Sequence, residues 1–434
     1  MTSSIDGLIS GLSTSQLITQ LMQVEAQPQT ALKNKVTVEQ KVITAYQAVN
    51  SKLAALQTAA KALTKDTTWQ AVKATSTSDA VVATASNGAA VGDTTFDVSR
   101  MAKAHLVTLT LDGSGAVTAG RPLEVSIGGA DPVYVPVATD TPAGVAAAIN
   151  AAGLGIRASV VNTDQGPVLQ LAATRTGAAA AFTVNGSAMP PNVLVQGTDA
   201  QITIGDPNAG GYTASSPTNT FTGVLPGVTF TATRLQAGVT VSVTADSAKL
   251  ADGMQSFVDA ANSVLTEIGT QTGYNAASKT GSPLTGNFTV RQLQQSLLSA
   301  VSNGKTGYGS FQQFGVGVDG AGQLTFDRDE FLAAYQADPA ATQSAVATGV
   351  AANLEAVGKR ATDATTGTIT TAISSRKDTV RTLTDQIGDW DVRLETRQRT
   401  LQRQYARLEV ALGKLKDQSS WLSGQIASLP TNSG

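Results

Sequence analysis

The chain has no cysteine among its 434 residues, which excludes disulfides, thiolate catalysis and cysteine-based metal centres together. It has one histidine, His105, and no cysteine or second histidine to join it in a zinc ligand set or a nucleophile–base pair, so a structural role is the default. No nucleophile, base and orienting group can be assembled from the remaining residues; the chain does not read as an enzyme, and no cofactor or metal is implied. The net charge is only −2, which suggests neither nucleic acid nor an anionic membrane as partner. Lys and Arg are missing from the first thirty-two residues, so the basic opening of a cleaved secretory signal is not found there. No apolar run approaches bilayer length, so no membrane insertion is expected. Ordinary rules then place the protein in the cytoplasm, unless an export route reads an uncleaved N-terminus.

What is present, in a chain long enough for several domains, is a seven-residue repeat near the C-terminus. Val380, Ile387, Leu394, Leu401, Leu408, Leu415, Leu422 and Leu429 fall at every seventh position. Leu383 and Trp390 fill the seam early, then Tyr405, Leu412 and Ile426 later, with a phase shift near Arg397. Such a repeat marks a helix that packs along other helices. As one helix of about fifty residues it would be about 75 Å long at 1.5 Å per residue, too long for an ordinary compact domain to cover. Each large apolar side chain removed from water contributes roughly 1.5–3 kcal/mol before ordering costs. The seam therefore needs the chain's own N-terminus, neighbouring subunits, or both, and periodicity alone leaves open an antiparallel hairpin within one subunit. The flank is basic (Arg393, Arg397, Arg399, Arg403, Arg407) but interleaved with Asp391, Glu395 and Glu409, which fits a solvated coiled-coil flank better than a nucleic-acid surface. Trp390 and Trp421 read as seam residues.

Near the N-terminus, Ser13, Thr14 and Ser15 are possible caps of a helix carrying Leu17, Leu21 and Val24 on one face, and Pro28 should break it. A second helix is expected from about Leu32 to Leu63, with Val42, Tyr46, Val49, Leu53, Leu56, Ala60 and Leu63 at alternating fours and threes. From Ala74 to Asp246 the chain is acidic, Thr-rich and strand-like. Trp69, at the junction, is a candidate to pin the angle between helices and sheet. Between about Asp112 and Gln196, strands, one helix and further strands suggest an inserted α+β domain, after which strands return to complete the earlier sheet. Helices resume at Ser247, interrupted by a hairpin-like FGVGVDGAGQLTF. The fold class is multidomain α+β: a coiled-coil-like helical stem from both termini, with β-rich central domains, one inserted in the other.

Several motifs have simpler readings than their chemistry. Gly315, Gly317 and Gly320 satisfy a dinucleotide-type spacing, but a strand-like run follows them, so hairpin turns are expected. Asp327, Asp329 and Glu330 sit where a helix N-terminus favours acidic residues. Asn185 and Asn287 open sequons, weak evidence for glycosylation.

The opening Ile5 to Leu12, with Leu21, Met22, Glu25 and Pro28, resembles the start of the bacterial flagellar filament cap family, flagellar hook-associated protein 2 (FliD). SFVDAANSVLTEIGTQTGYNAASKTGSPLTGNFTVRQLQQSLLSAV, GQLTFDRDEFLAAYQADP and the terminal YARLEVALGKLKDQSSWLSGQI are similar to that family's later segments, in the same order. AAAINAAGLGIRASVVN and LQLAATRTG resemble a small module shared by caps and some flagellins. Gln29, Ala261 and Asn287 depart from the family's usual Leu, Tyr and Asp. The resemblance implies an assembly chaperone without bond chemistry: a homo-oligomeric ring, commonly a pentamer, at the distal filament tip, whose legs reach into filament subunits and admit new flagellin. It implies flagellin, hook-filament junction proteins and a flagellar export chaperone as partners. It also implies an extracellular location reached through the flagellar type III channel, which accounts for the missing signal.

On this reading the domains are an N-terminal leg helix (1–40), a helical stem (41–72 and 248–396), a β-rich head (73–111 and 197–247), an inserted head domain (112–196) and a C-terminal leg helix (397–434). The assembly residues are Ile5, Leu8, Leu12, Leu17, Leu21, Leu401, Tyr405, Leu408, Leu412, Leu415, Leu422 and Ile426. Val380 to Leu394 would pack within the stem, and Leu401 to Leu429 would meet neighbouring caps or flagellin. Two alternatives stand beside the cap. One is a hook-filament junction protein with similarly paired helical ends. The other is a surface adhesin using the β-rich head, although no clustered aromatic platform for sugar is present.

Overall fold

In the computed structural model, which describes residues 13–118, 120–206 and 209–427, the chain opens with helix α1 (Thr14–Glu25) followed by α2 (Gln27–Leu63). The break falls at Ala26, and Pro28 takes the second position of α2, where its missing N–H costs nothing. Ser13 stands at the N-cap of α1 but makes no side-chain capping bond. α2 begins five residues before the expected Leu32, because Pro28 starts this helix rather than merely ending the one before. The chain divides into two compact units, one formed by the segments up to Thr64 and from Gly253 onward, the other by Lys65–Asp252.

The second unit starts with a single turn, α3 (Asp66–Trp69), whose Trp69 is buried, and continues, among the described residues, through fifteen strands and one longer helix. Its outer part holds β1 (Val72–Ser76), β2 (Val81–Ala85) and β3 (Gly92–Arg100). The chain then enters β4 (Ala104–Leu109), β5 (Leu123–Ile127), β6 (Val133–Val135), α4 (Pro142–Ala151), β7 (Ile156–Thr163), β8 (Gly166–Thr176), β9 (Phe182–Asn185) and β10 (Asn192–Val195). It returns through β11 (Ala200–Ile204), β12 (Tyr212–Ser216), β13 (Thr220–Leu225), β14 (Val228–Ala232) and β15 (Gln236–Ala245).

Two cores form. In the outer part, the sheet ordered β1-β15-β3-β11-β12 and the sheet β13-β14-β2 share Phe96, Ile202, Phe221, Phe230 and Val241. Their alternate residues point inward, and Phe230 stacks between Phe96 (4.8 Å) and Phe221 (5.3 Å). In the inserted part, sheets β10-β4-β8-β7 and β6-β5-β9 enclose Leu109, Val125, Leu169, Leu171 and Phe182 with Val145 and Ile149 of α4. Thr141 caps α4 by accepting from the Gly144 amide at 3.2 Å. Strand β4 was expected in the head sheet, ahead of an insertion starting at 112. It pairs instead with β8 and β10, because its apolar residues Val107 and Leu109 complete the inserted core. The two parts join at Lys103 and Thr198, which pair backbone to backbone.

α5 (Ser247–Thr272) leads back into the first unit, with Phe257, Val264 and Ile268 buried. A small hairpin, β16 (Tyr274–Asn275) and β17 (Thr280–Gly281), precedes α6 (Phe288–Ser302). A second hairpin, β18 (Val316–Val318) and β19 (Leu324–Phe326), leads to α7 (Arg328–Ala337). α8 (Pro339–Ala345) passes through a π-helical turn, Val346–Ala351, into α9 (Ala352–Thr362). α10 (Thr368–Ala427) then runs unbroken for 60 residues, roughly 90 Å at 1.5 Å per residue. α2 carries a buried stripe (Tyr46, Val49, Leu53, Leu56, Ala60), as its spacing predicts, and the helix packs along α9 and α10.

Candidate assembly surface

The start of α10 is fixed by a carboxylate. Asp363 accepts from the backbone N–H of Thr366 (2.8 Å) and Thr365 (3.0 Å) and from both their hydroxyls. Those backbone bonds, then the hydroxyls, hold its carboxyl far below the usual carboxylate range. From there α10 runs antiparallel to α2. Arg376 donates to both carboxylate oxygens of Glu39 at 3.1 Å, Gln29 donates to Asp391, and Arg397 donates to Glu25 at 3.2 Å. As residue numbers rise on one helix they fall on the other. Gln29 is buried at 5% exposure; its amide also reaches the Ile387 carbonyl, and Lys33 donates to its oxygen at 3.1 Å. These polar pins set the register, and sequence reasoning missed them. The signal was there, since Gln29 was one of the departures from the family pattern.

The phase shift at Arg397 is no break in the helix: the charge occupies the seam position because Glu25 stands opposite it. α1 packs on α10 beyond that point, where Ile18 and Leu401 are both buried. Leu401 is thus covered within the chain itself. Past it the seam opens: Tyr405 and Leu412 are half-buried, whereas Leu408 (47%), Leu415 (60%), Leu422 (54%) and Ile426 (61%) are exposed. Trp421, read as a seam residue, is exposed as well, while Trp390 is half-buried with the Arg393 guanidinium 4.6 Å from its ring centre. Leu17, Leu21 and Val24 share one face of α1, as their spacing predicts, and that face is outward. Ile5, Leu8, Leu12 and Leu429 lie outside the described residues. Arg399 pairs with Glu395 one turn earlier, and Arg403 donates to the Arg399 carbonyl, so part of the basic flank is tied along the helix.

The other candidates are structural. Gly315 ends the turn before β18 with φ of 75°, where a Cβ would lie 2.3 Å from the Asp327 carbonyl oxygen, whereas Gly317 lies within β18 and of the three glycines Gly320 alone sits in the turn between β18 and β19. Asp327 caps α7 by accepting from Glu330 N–H at 3.0 Å. His105 is buried, accepts from Gly197 N–H at 3.1 Å through Nδ1 and stands edge-on to Phe182. Asn287 caps α6 and donates to the Tyr46 hydroxyl, which engages the second sequon, while Asn185 is exposed at the end of β9. Among the described residues no group of three His, Asp or Glu could hold a metal ion, and no helix is long and apolar enough to cross a membrane.

Residues 197–417 match the family model for the flagellar hook-associated protein 2 C-terminus, and residues 10–105 match that for its N-terminus. Flagellar hook-associated protein 2 of Escherichia coli K12 is 26% identical over 457 residues, with 97% of each chain covered. The A-type flagellar hook-associated protein 2 of Pseudomonas aeruginosa is 26% identical over 469 residues, with 98% of each covered. The crystal structure of the flagellar cap protein FliD D1-D2-D3 domains from Escherichia coli covers 77% of this chain and 99% of its own, with a TM-score of 0.59 and 26% identity. Two helices pinned antiparallel, a two-core β unit lying between them in the sequence and these matches together make the chain a member of the flagellar hook-associated protein 2 (FliD) family.

Proposed function

We propose that the protein is a structural cap at the distal end of the flagellar filament, where it promotes flagellin folding and polymerisation and so supports filament elongation and motility. Family membership supports the cap role, and the relatives are structural proteins rather than enzymes. The observation that carries the assembly reading is the course of the α10 seam, half-buried from Val380 to Leu394, buried at Leu401, and exposed at Leu408, Leu415, Leu422 and Ile426. An exposed apolar row on a helix that has left its partner is a surface for another helix. In this proposal residues 1–40 and 397–434 form legs, the stem is as read from the sequence, the inserted head domain begins with β4 rather than at residue 112, and the legs meet neighbouring copies and flagellin. The ring, commonly a pentamer in such caps, sits outside the cell at the filament tip after export without a cleaved signal. Junction proteins and an export chaperone are its other partners.

The test is complementation of a strain lacking its own cap. Chains without residues 1–30 or 400–434 should keep a folded β unit but restore no filaments. Full filaments from either truncation would sink the leg reading.

A further inference from the structure

Among the described residues, every large apolar side chain left exposed in the inserted domain lies on a sheet edge or beside one. Val133 and Tyr134 stand on β6, Val160 and Val161 on β7, and Val193 and Leu194 on β10, with Met189 just ahead of β10. β7 and β10 are the opposite edges of one sheet, ordered β10-β4-β8-β7. All three pairings within it are antiparallel, so its four strands alternate in direction and the two outer ones run oppositely. A second copy set beside the first in the same orientation therefore brings its β10 antiparallel to the first copy's β7. Such a contact is head-to-tail, repeats from copy to copy, and closes when the rotation closes.

The backbone at the β7 edge shows where pairing is free. Asn150 on α4 donates to the Ala158 carbonyl (2.9 Å) and accepts from its N–H (2.8 Å), which blunts the edge at that residue. By the two-residue period of the pleat, the next outward backbone groups belong to Val160 and Asn162. No lysine, proline or bulge guards them, although natural edges use such devices. β10 follows Pro190 and Pro191 and carries a bulge between Val193 and Val195, which keeps any contact short.

Two observations select a second copy as the occupant. The β unit carries more acidic than basic side chains, so two copies repel, yet residues 158–163 and 188–198 carry no charge at all. The charge-free strips are where like-charged heads can meet. A stable pair buries on the order of 1,600 Å² in total, whereas two short strand edges bury well under about 800 Å². The contact therefore cannot hold a dimer by itself and acts where copies are already gathered.

We propose that this sheet is continued between copies, the β7 edge of one inserted domain pairing with the β10 edge of the next. The proposal rests on the self-assembling cap reading. The cysteine-free chain makes the test clean: full-length Val160→Cys, Val193→Cys and the double variant are treated with a short bis-maleimide under assembly conditions, with oligomers followed by mass photometry. The double variant should give a ladder of cross-linked chains on a denaturing gel, and each single variant only monomers. Oligomers of unchanged size without a ladder, or dimers from either single variant, would overturn the edge pairing while leaving self-assembly intact. Oligomers absent altogether would overturn the reading beneath it as well. Val160→Lys should raise the concentration for half-assembly by about tenfold, and an unchanged value would count against the pairing.

Discussion

At the scale of single residues, side-chain amides do much of the fastening. Asn262 on α5 bonds both backbone groups of Leu324, at 2.8 and 2.7 Å, as Asn150 does for Ala158. Each ties a helix to a strand residue whose outward backbone groups would otherwise lack a partner. Gln29 works between helices. Gln29→Ala should cost about 1 kcal/mol, read as a lower urea midpoint, because the Asp391 and Ile387 acceptors lose a buried donor. Gln29→Leu should cost less, since it refills the space. Asp363 gives a pH prediction. Its folded pKa is depressed, so the stability it contributes is present above the unfolded value of about 3.9 and is lost as the pH falls below it. Asp363→Asn should make stability fall less steeply below about pH 4, and an acid-unfolding profile identical to that of the parent would contradict this.

Among the elements, α2 and α10 carry the strongest sequence signal and the clearest division of labour. Leu53 is fully buried on α2, so Leu53→Ala should destabilise the helical unit by about 2–5 kcal/mol in denaturant titration. Leu408→Glu, Leu415→Glu and Leu422→Glu together should change its stability by less than about 0.5 kcal/mol each while abolishing filament rescue, because those side chains are exposed. The seven-residue repeat made both helices legible, since a seam must recur with the helical period. It showed neither the register, set by Glu39, Gln29 and Glu25, nor the covering of Leu401 by α1, because cross-helix pairs far apart in sequence leave no local pattern. Strand β4 was misplaced for a related reason. An alternating strand states that one face is buried but not which of two adjoining cores receives it.

Over the whole molecule, the chain crosses between the outer head core and the inserted domain at Lys103 and Thr198, and Thr176 of β8 also donates to the Pro217 carbonyl at 2.7 Å. Replacing the segment between those two residues by a short Gly-Ser linker should leave a β unit that unfolds cooperatively in calorimetry, because Phe96, Phe221 and Phe230 keep all their core partners. The order of helix, sheet, insertion, sheet and helix was legible because composition and period change sharply at each boundary; the strand order was not. One pairing within that order has a kinetic consequence. Among the described strands, β1 pairs with β15 alone, with Val72 opposite Ala245, so the first strand of the head waits for the last. Whatever the direction in which the chain becomes free to fold, the five-stranded sheet cannot close until both of these distant segments are available. Helices propagate from local contacts, whereas this sheet must first close a long loop. The helical ends should therefore form early and the head last, and a refolding trace should show a slow strand phase after a fast helical one.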